Sequence, residues 1–459
     1  MSTLNVDLEL VKKYNVPGPR YTSYPPAPQF TDKVAWTDVA QKIAQAQDSS
    51  RGLSLYFHLP FCESLCWYCG CTTVITTQHE KSALYLNRVE KEMERMALRI
   101  NPQRKVVQLH WGGGTPTFLS PAEIRRLGQS IRKYFELAPD LEAGVEIDPR
   151  RLTRDHVLAL RDAGFNRASI GVQDFNPVVQ EAIHRIQPRE LTEQAMQWAR
   201  EAGFKSINLD LIYGLPHQTA ESFAKTLDEI IELAPDRLAV FSYAHVPWVK
   251  PAQKILEQES ALPSAETKLN ILKLVIERLT ENDRYVYIGM DHFARPNDEL
   301  TIAQKNKTLQ RNFQGYSTKN GADIYAFGMS AISQADGVDW QNAKDLSTYC
   351  TAIDSGGEPF AKGYILSDDD KVRRHTIMRL MCDLGLDYAA MSKDLGLDFA
   401  QYFREELHSM TDLEEDGLLT RHPHGLVVNN KGRLFIRNIA MRFDSYLPAV
   451  AERRFSRTV

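Results

Sequence analysis

Cysteine is scarce in this chain, with six residues in 459. A secreted fold stapled by disulfides needs a denser supply, so that class is disfavoured, and reduced thiols fit the cytosol. An excess of charge is also missing. Lys and Arg number 55 against 59 Asp and Glu, for a formal net charge of −4. No bulk positive field recruits nucleic acid or anionic lipid. Nor does any uninterrupted apolar run approach the roughly 20 residues that span a bilayer. The opening MSTLNVDLELVKKYNV has no apolar signal-peptide core, so a large cytoplasmic enzyme without a membrane anchor is expected.

The few cysteines are unevenly placed. Cys62, Cys66 and Cys69 lie in the run FHLPFCESLCWYCGCTT, with Cys71 following. Thiolates this close can converge on one soft metal centre, as in iron–sulfur clusters. Three ligands on a four-iron cube would leave one iron open for a substrate or cofactor, as catalytic zinc sites keep an open position. A structural zinc knot would recruit two ligand pairs or a histidine partner, and His58 and His79 fit no such spacing. Cys350 and Cys382 are isolated in helical surroundings and read as small core hydrophobes.

Strand and helix patterns alternate. Candidate strands are 53–59, 106–111, 144–147, 167–172, 206–212, 237–243 and 285–290, rich in β-branched and aromatic residues. After the cysteines, Tyr85, Val89, Met93, Met96 and Ile100 recur at helical spacing. LRDAGFNRASIGVQD at 160–174 and AREAGFKSINLDLIY at 199–213 echo each other, and Gly164 and Gly203 suit left-handed helix ends. Six or seven such units predict a parallel sheet curled into a full or partial (β/α) barrel. Chemistry in such barrels gathers where strands end. The polar residues at those ends are the glycine run 112–114 with Thr115, then Glu146, Asp148, Gln173, Asp210, Tyr213, Tyr243 and His245.

Beyond residue 295 the rhythm fades, and a boundary is expected near 364. Ser367 and the acidic 368–370 start a helix over 373–384. A helix around 402–410 and a hairpin pattern, LVVNNKGRLFI, give the end of the chain a winged-helix look. Residues 365–459 hold 14 Lys and Arg against 15 Asp and Glu. A lid over the barrel is therefore favoured over nucleic-acid binding. The N-terminal GPRYTSYPP is too rich in proline and aromatics for a helix.

CxxxCxxC with an aromatic residue, Tyr68, before the third cysteine resembles the radical S-adenosylmethionine (SAM) superfamily. With Cys71, HWGGGTPTFLS at 110–120 and GPRYTSYPPAPQF at 18–30, nearly the whole chain resembles the oxygen-independent coproporphyrinogen III oxidase family. The resemblance implies an α/β fold: an incomplete parallel (β/α) barrel over 51–364, an N-terminal arm and lead-in over 1–50, and a mainly helical, winged-helix-like C-terminal domain over 365–459. It implies a [4Fe-4S] cluster on Cys62, Cys66 and Cys69, with Cys71 outside the ligand set. It places Tyr56, Gly113, Glu146 and Ile332 around the SAM on the open iron. A second SAM is implied at Tyr68, Gly114, Thr115, Gln173, Arg185, Asp210 and Ala244; the family usually has Phe at position 68.

The chemistry so implied starts when the reduced cluster cleaves SAM to a 5′-deoxyadenosyl radical. That radical takes a hydrogen from a propionate β-carbon, and loss of CO₂ and one electron leaves a vinyl group. Two propionates of coproporphyrinogen III react, giving protoporphyrinogen IX. A small reductant protein such as a flavodoxin, a monomeric state and an arm offering Arg20 to a substrate carboxylate are also implied. Of the alternatives, a haem-binding chaperone of the same superfamily would typically differ at position 71 and lack the arm. A pure electron carrier would not need this length, and a tRNA-modifying enzyme would show a basic patch.

Overall fold

Short apolar runs, buried on both faces, form the central strands of the protein. A computed structural model describes residues 6–48, 50–257, 261–319, 321–447 and 457–458. Parts of the expected arm (residues 1–5 and 49) and of the expected C-terminal domain (448–456 and 459) lie outside the described residues. The chain divides into two compact units, one of residues 30–263 with 321–365, the other of 1–29, 264–320 and 366–459.

The first unit holds strands β1 (Leu53–Leu59), β2 (Val106–Gly113), β3 (Leu137–Ile147), β4 (Arg167–Gln173), β5 (Ser206–Tyr213), β6 (Arg237–Ser242) and β7 (Asp323–Phe327). β1 to β6 pair in chain order, all parallel, and β7 adds parallel to the other edge of β1. β8 (Ile332–Ala335), β9 (Val338–Asn342) and β10 (Phe360–Ile365) extend that edge as an antiparallel meander. Among the described residues no ladder joins β6 back to β10, so the barrel is incomplete.

Helices Glu80–Ala97, Pro121–Tyr134, Arg154–Ala163, Arg189–Glu201 and Ala220–Leu233 form the crossovers. The first buries Tyr85, Val89, Met93 and Met96, so its methionines are core filler. The second starts with a capping box between Ser120 and Glu123. Gly164 ends the third with φ 107°, a conformation that L side chains resist.

The run 285–290 does form a strand, Val286–Gly289, but it belongs to the other unit and pairs antiparallel with His292–Ala294. Its buried run reads the same in either setting. The connection decides, because two residues can close a hairpin but cannot make a parallel crossover. β7, five buried residues long, went unread because no helix period announces it.

The other unit contains helices Leu8–Tyr14, Ala265–Thr280 and Asp368–Asp383, the last opened by a capping box at Ser367. Its three-stranded antiparallel sheet puts Gly425–Val428 between Gly385–Asp387 and Leu419–His422. The hairpin therefore turns at Pro423–His424 rather than within NNKG. Both edges of Gly425–Val428 are paired, and Lys431–Phe435, in the run expected to form the second hairpin strand, winds into a 3₁₀ turn instead. The expected helix at 402–410 is broken at Phe403 into Phe399–Tyr402 and Arg404–His408. The GPRYTSYPP segment is irregular, with Tyr21 and Tyr24 fully buried in this unit.

Candidate functional site

The loop that follows β1 carries the cysteines and is fastened at both ends. Phe61–Cys62 pairs in parallel with Val74–Ile75. Leu59 and Phe61 carbonyls accept from the backbone N–H groups of Gly114 and Thr115, both at 2.8 Å. The glycine run is thereby locked to the loop, and close approach requires it. A Cβ on Gly114 would lie 2.5 Å from the Pro60 carbonyl carbon, and one on Gly113, with φ 109°, 2.5 Å from the His58 ring. These glycines admit the protein's own backbone and imidazole, a role beyond the ligand approach read from the sequence.

A cavity of about 400 Å³ opens at the C-terminal ends of β1 to β6. In a flat sheet, strands roughly 4.8 Å apart would put the first and sixth ends about 24 Å from each other, so the shared cavity reflects the curl. Cys62, Cys66, Tyr68 and Cys69 line it, with Gly113, Gly114, Thr115 and Glu146. Gln173, Arg185, Asp210 and Ala244 complete its wall on the β4 to β6 side. Tyr56 and Ile332 do not line it. Tyr56 stacks on His110 at 5.9 Å and touches His58 Nδ1 at 3.2 Å, while Ile332 lies on β8, beyond β7.

The thiols differ in setting. A hydrogen bond from Cys71 brings the Cys69 thiol down to about 6, against the effect of burial. The same bond drives Cys71 well up. Burial pushes Cys62 up to about 11, with Thr115 Oγ1 3.4 Å from its sulfur acting the other way. Cys66 Sγ receives Arg150 Nη2 at 3.4 Å and Arg185 Nη1 at 3.7 Å. Both arginines also hold Asp148, at 2.6 and 3.0 Å. Burial would raise the Asp148 carboxyl, yet Arg185 and Arg150 hold it down to about 2.

Glu146 accepts from the Gly113 N–H at 3.0 Å and faces His110 Nε2 at 3.6 Å. Burial opposes its charge, but these partners outweigh it and keep the carboxyl below its ordinary range. Asp210 accepts from Ser169 Oγ at 2.8 Å and Asn208 Nδ2 at 2.7 Å. Burial, reinforced by the Glu146 charge, lifts it to about 6. Tyr68 packs against Val179, Ile183, Leu215, Tyr243 and Leu256.

Sequence reading missed Arg150, the His58 bridge to Thr72 O at 2.9 Å, and Gln253, whose amide donates to Tyr68 O at 2.9 Å. Only the strand-end position of Asp148 signalled Arg150, two residues on. Nothing local marks the others.

Among the described residues, no three Cys, His, Asp or Glu side chains converge as a bare ion requires. A cluster takes one thiolate at each of several separate irons, so its ligands need not meet at a point. The donor set, thiols beside two guanidiniums, fits that group.

Residues 56–230 match the radical SAM superfamily and residues 366–435 the HemN C-terminal domain. An oxygen-independent coproporphyrinogen III oxidase from Synechocystis is 46% identical over 462 residues, 100% of this chain and 99% of the relative. The Escherichia coli protein of that name is 46% identical over 99% of this chain and 98% of its own. The chain belongs to the oxygen-independent coproporphyrinogen III oxidase family. A solved coproporphyrinogen III oxidase from Escherichia coli, described as a radical SAM enzyme, superposes with a TM-score of 0.92 at 45% identity, covering 97% of this chain and 100% of that one. As a member of this family the chain is a radical SAM oxidoreductase, whose cofactors are a [4Fe-4S] cluster and SAM.

Proposed function

We infer that this chain converts two propionate side chains of coproporphyrinogen III to vinyl groups, giving protoporphyrinogen IX in haem biosynthesis without oxygen. One observation carries the reading: three thiols and the strand-end carboxylates meet in one cavity of a chain that matches coproporphyrinogen III oxidases from end to end. Cys62, Cys66 and Cys69 would hold the cluster. With SAM bound, that group supplies a 5′-deoxyadenosyl radical able to remove a hydrogen atom from a propionate β-carbon.

The chain's own residues bind and orient. Glu146, held ionised by the Gly113 N–H and the facing His110, offers a carboxylate to an ammonium; Gly113 joins it in the proposed SAM site, to which Tyr56 and Ile332 are assigned from outside the cavity wall. Asp210 is held by Ser169 and Asn208 on β4 and β5 and can accept from a ribose hydroxyl. We place a second SAM against Asp210, Tyr68, Gly114, Thr115, Gln173, Arg185 and Ala244. Arg150 and Arg185 put positive charge beside the Cys66 sulfur. Gly70 and Cys71 are exposed, which leaves the loop edge open to a small reductant protein such as a flavodoxin. Among the described residues no helix is long and apolar enough to cross a membrane.

Anaerobic turnover tests the reading. Reduced, cluster-loaded protein given SAM and coproporphyrinogen III should release two CO₂ per tetrapyrrole and accumulate 5′-deoxyadenosine. If no CO₂ appears with any reductant and haem binds tightly instead, a haem-chaperone function replaces it.

A further inference from the structure

A short turn after β3 delivers charge to the cysteine loop. Asp148 caps the 3₁₀ turn Pro149–Arg151, accepting from the Arg150 N–H at 3.0 Å. Cap and turn fold the Arg150 side chain back on the Asp148 carboxylate, with Nε 3.0 Å from Oδ1 and Nη2 2.6 Å from Oδ2. The same Nη2 reaches Cys66 Sγ at 3.4 Å. The next residue, Arg151, pairs with Glu63 at 3.1 Å, so the turn is tied to the cysteine loop at two points. Arg185 adds a second cation, 3.7 Å from the same sulfur and 3.0 Å from Asp148. Two guanidiniums and one carboxylate leave this group net positive against Cys66. The donors at the other two sulfurs are neutral: Thr115 Oγ1 at Cys62 and the Cys71 N–H at Cys69, both at 3.4 Å.

A charged donor on a cluster thiolate matters most for the electron. Adding one electron makes a cluster and its thiolates more negative, and positive charge or N–H bonds at the sulfurs stabilise that form over the oxidised one. Cys66 is buried and the Arg150 side chain is 18% exposed, so water screens the interaction only in part. We propose that Arg150, acting through Cys66, is a positioning residue for electron entry that raises the reduction potential of the cluster, with Asp148 limiting the rise. This rests on the functional reading above, which puts Cys66 among the cluster ligands. In the step concerned the small reductant protein loses one electron and the cluster gains it; no bond forms or breaks. Arg185 belongs to the proposed second SAM site, so Arg150 is the residue whose replacement isolates the effect on potential.

Potentiometric titration of the full, cluster-loaded chain without SAM, followed by the electron paramagnetic resonance signal of the reduced cluster, tests this. Arg150→Gln, at unchanged iron content, should lower the midpoint. Electron uptake weakened about tenfold, the scale of one charge-assisted hydrogen bond, corresponds to about 59 mV for a one-electron couple. Asp148→Asn removes the carboxylate and leaves both guanidiniums, so its midpoint should rise. Lost packing alone gives no reason for shifts of opposite sign. A midpoint equal to or above wild type in Arg150→Gln overturns the inference, as does one equal to or below wild type in Asp148→Asn. If Arg150→Gln fails to hold its cluster, Asp148→Asn decides by the same criterion. Iron retained by Cys66→Ala would instead sink the ligand assignment, and the inference with it.

Discussion

Side chains two positions apart can have opposite roles in this loop. Cys69 is driven toward thiolate by Cys71, which stays protonated as donor. Cys62→Ala, Cys66→Ala and Cys69→Ala are each expected to abolish binding of about four iron and four sulfide per chain, whereas Cys71→Ala keeps it. Iron and sulfide analysis after anaerobic reconstitution checks this, and a Cys71→Ala protein without iron would refute the assignment. Asp210 and Arg185 should matter for turnover rather than for iron. Asp210→Asn is the cleaner variant, because Arg185 also reaches Cys66 Sγ. It should lose about tenfold or more in product formation at unchanged iron content, the scale of a charged hydrogen bond. Normal turnover would remove Asp210 from the SAM site.

At the level of elements, β1 is the central strand, flanked by β2 and β7. Phe57, fully buried, stacks on Phe327 at 5.0 Å and meets Trp111 edge-on at 6.4 Å. Phe57→Ala should cost about 3–5 kcal/mol, read from denaturant midpoints. Beside it, the helix Glu80–Ala97 sends Glu92 to Tyr349 OH at 2.6 Å, Asn342 Nδ2 at 2.6 Å and the Gly328 N–H at 2.9 Å. This ties the helix to the turn between β7 and β8. Burial pushes the Glu92 carboxyl up from 4.5 to about 7, although all three donors oppose the shift. A carboxyl raised in the folded state binds more protons folded than unfolded. Its contribution to stability is therefore whole below 4.5 and is lost as pH rises through about 7. Glu92→Gln should flatten that slope between pH about 5 and about 8 in urea melts. An unchanged slope would mean that Glu92 does not titrate in this window.

For the whole molecule, the two units answer different questions. The cysteine loop and its cavity lie wholly within residues 30–263 and 321–365, while the N-terminal segment is held in the other unit by Arg437, by Asp416 under Lys13 and Tyr14, and by Asp444 under Tyr21. Deleting residues 1–30 should therefore leave the iron content unchanged, suppress decarboxylation and lower the melting temperature. Full activity in the truncated protein would deny the segment any part in turnover.

Local chemistry was enough for much of this. The cysteine spacing, the six successive strands, the Ser367 cap and the left-handed Gly164 all depend on neighbours a few residues apart, and all were legible in the chain. Other features depend on how the sheet curls and where distant segments come to rest. Arg150 beside Cys66, 84 positions away, is one. The placement of residues 264–320 with the chain ends is another, and Arg311 against Arg20 across 291 positions is a third. Apolar periodicity shows that a run is buried but not which partner buries it. The strand at 286–289 was legible, but its antiparallel pairing, and the place where the C-terminal hairpin turns, were decided only by the tertiary structure.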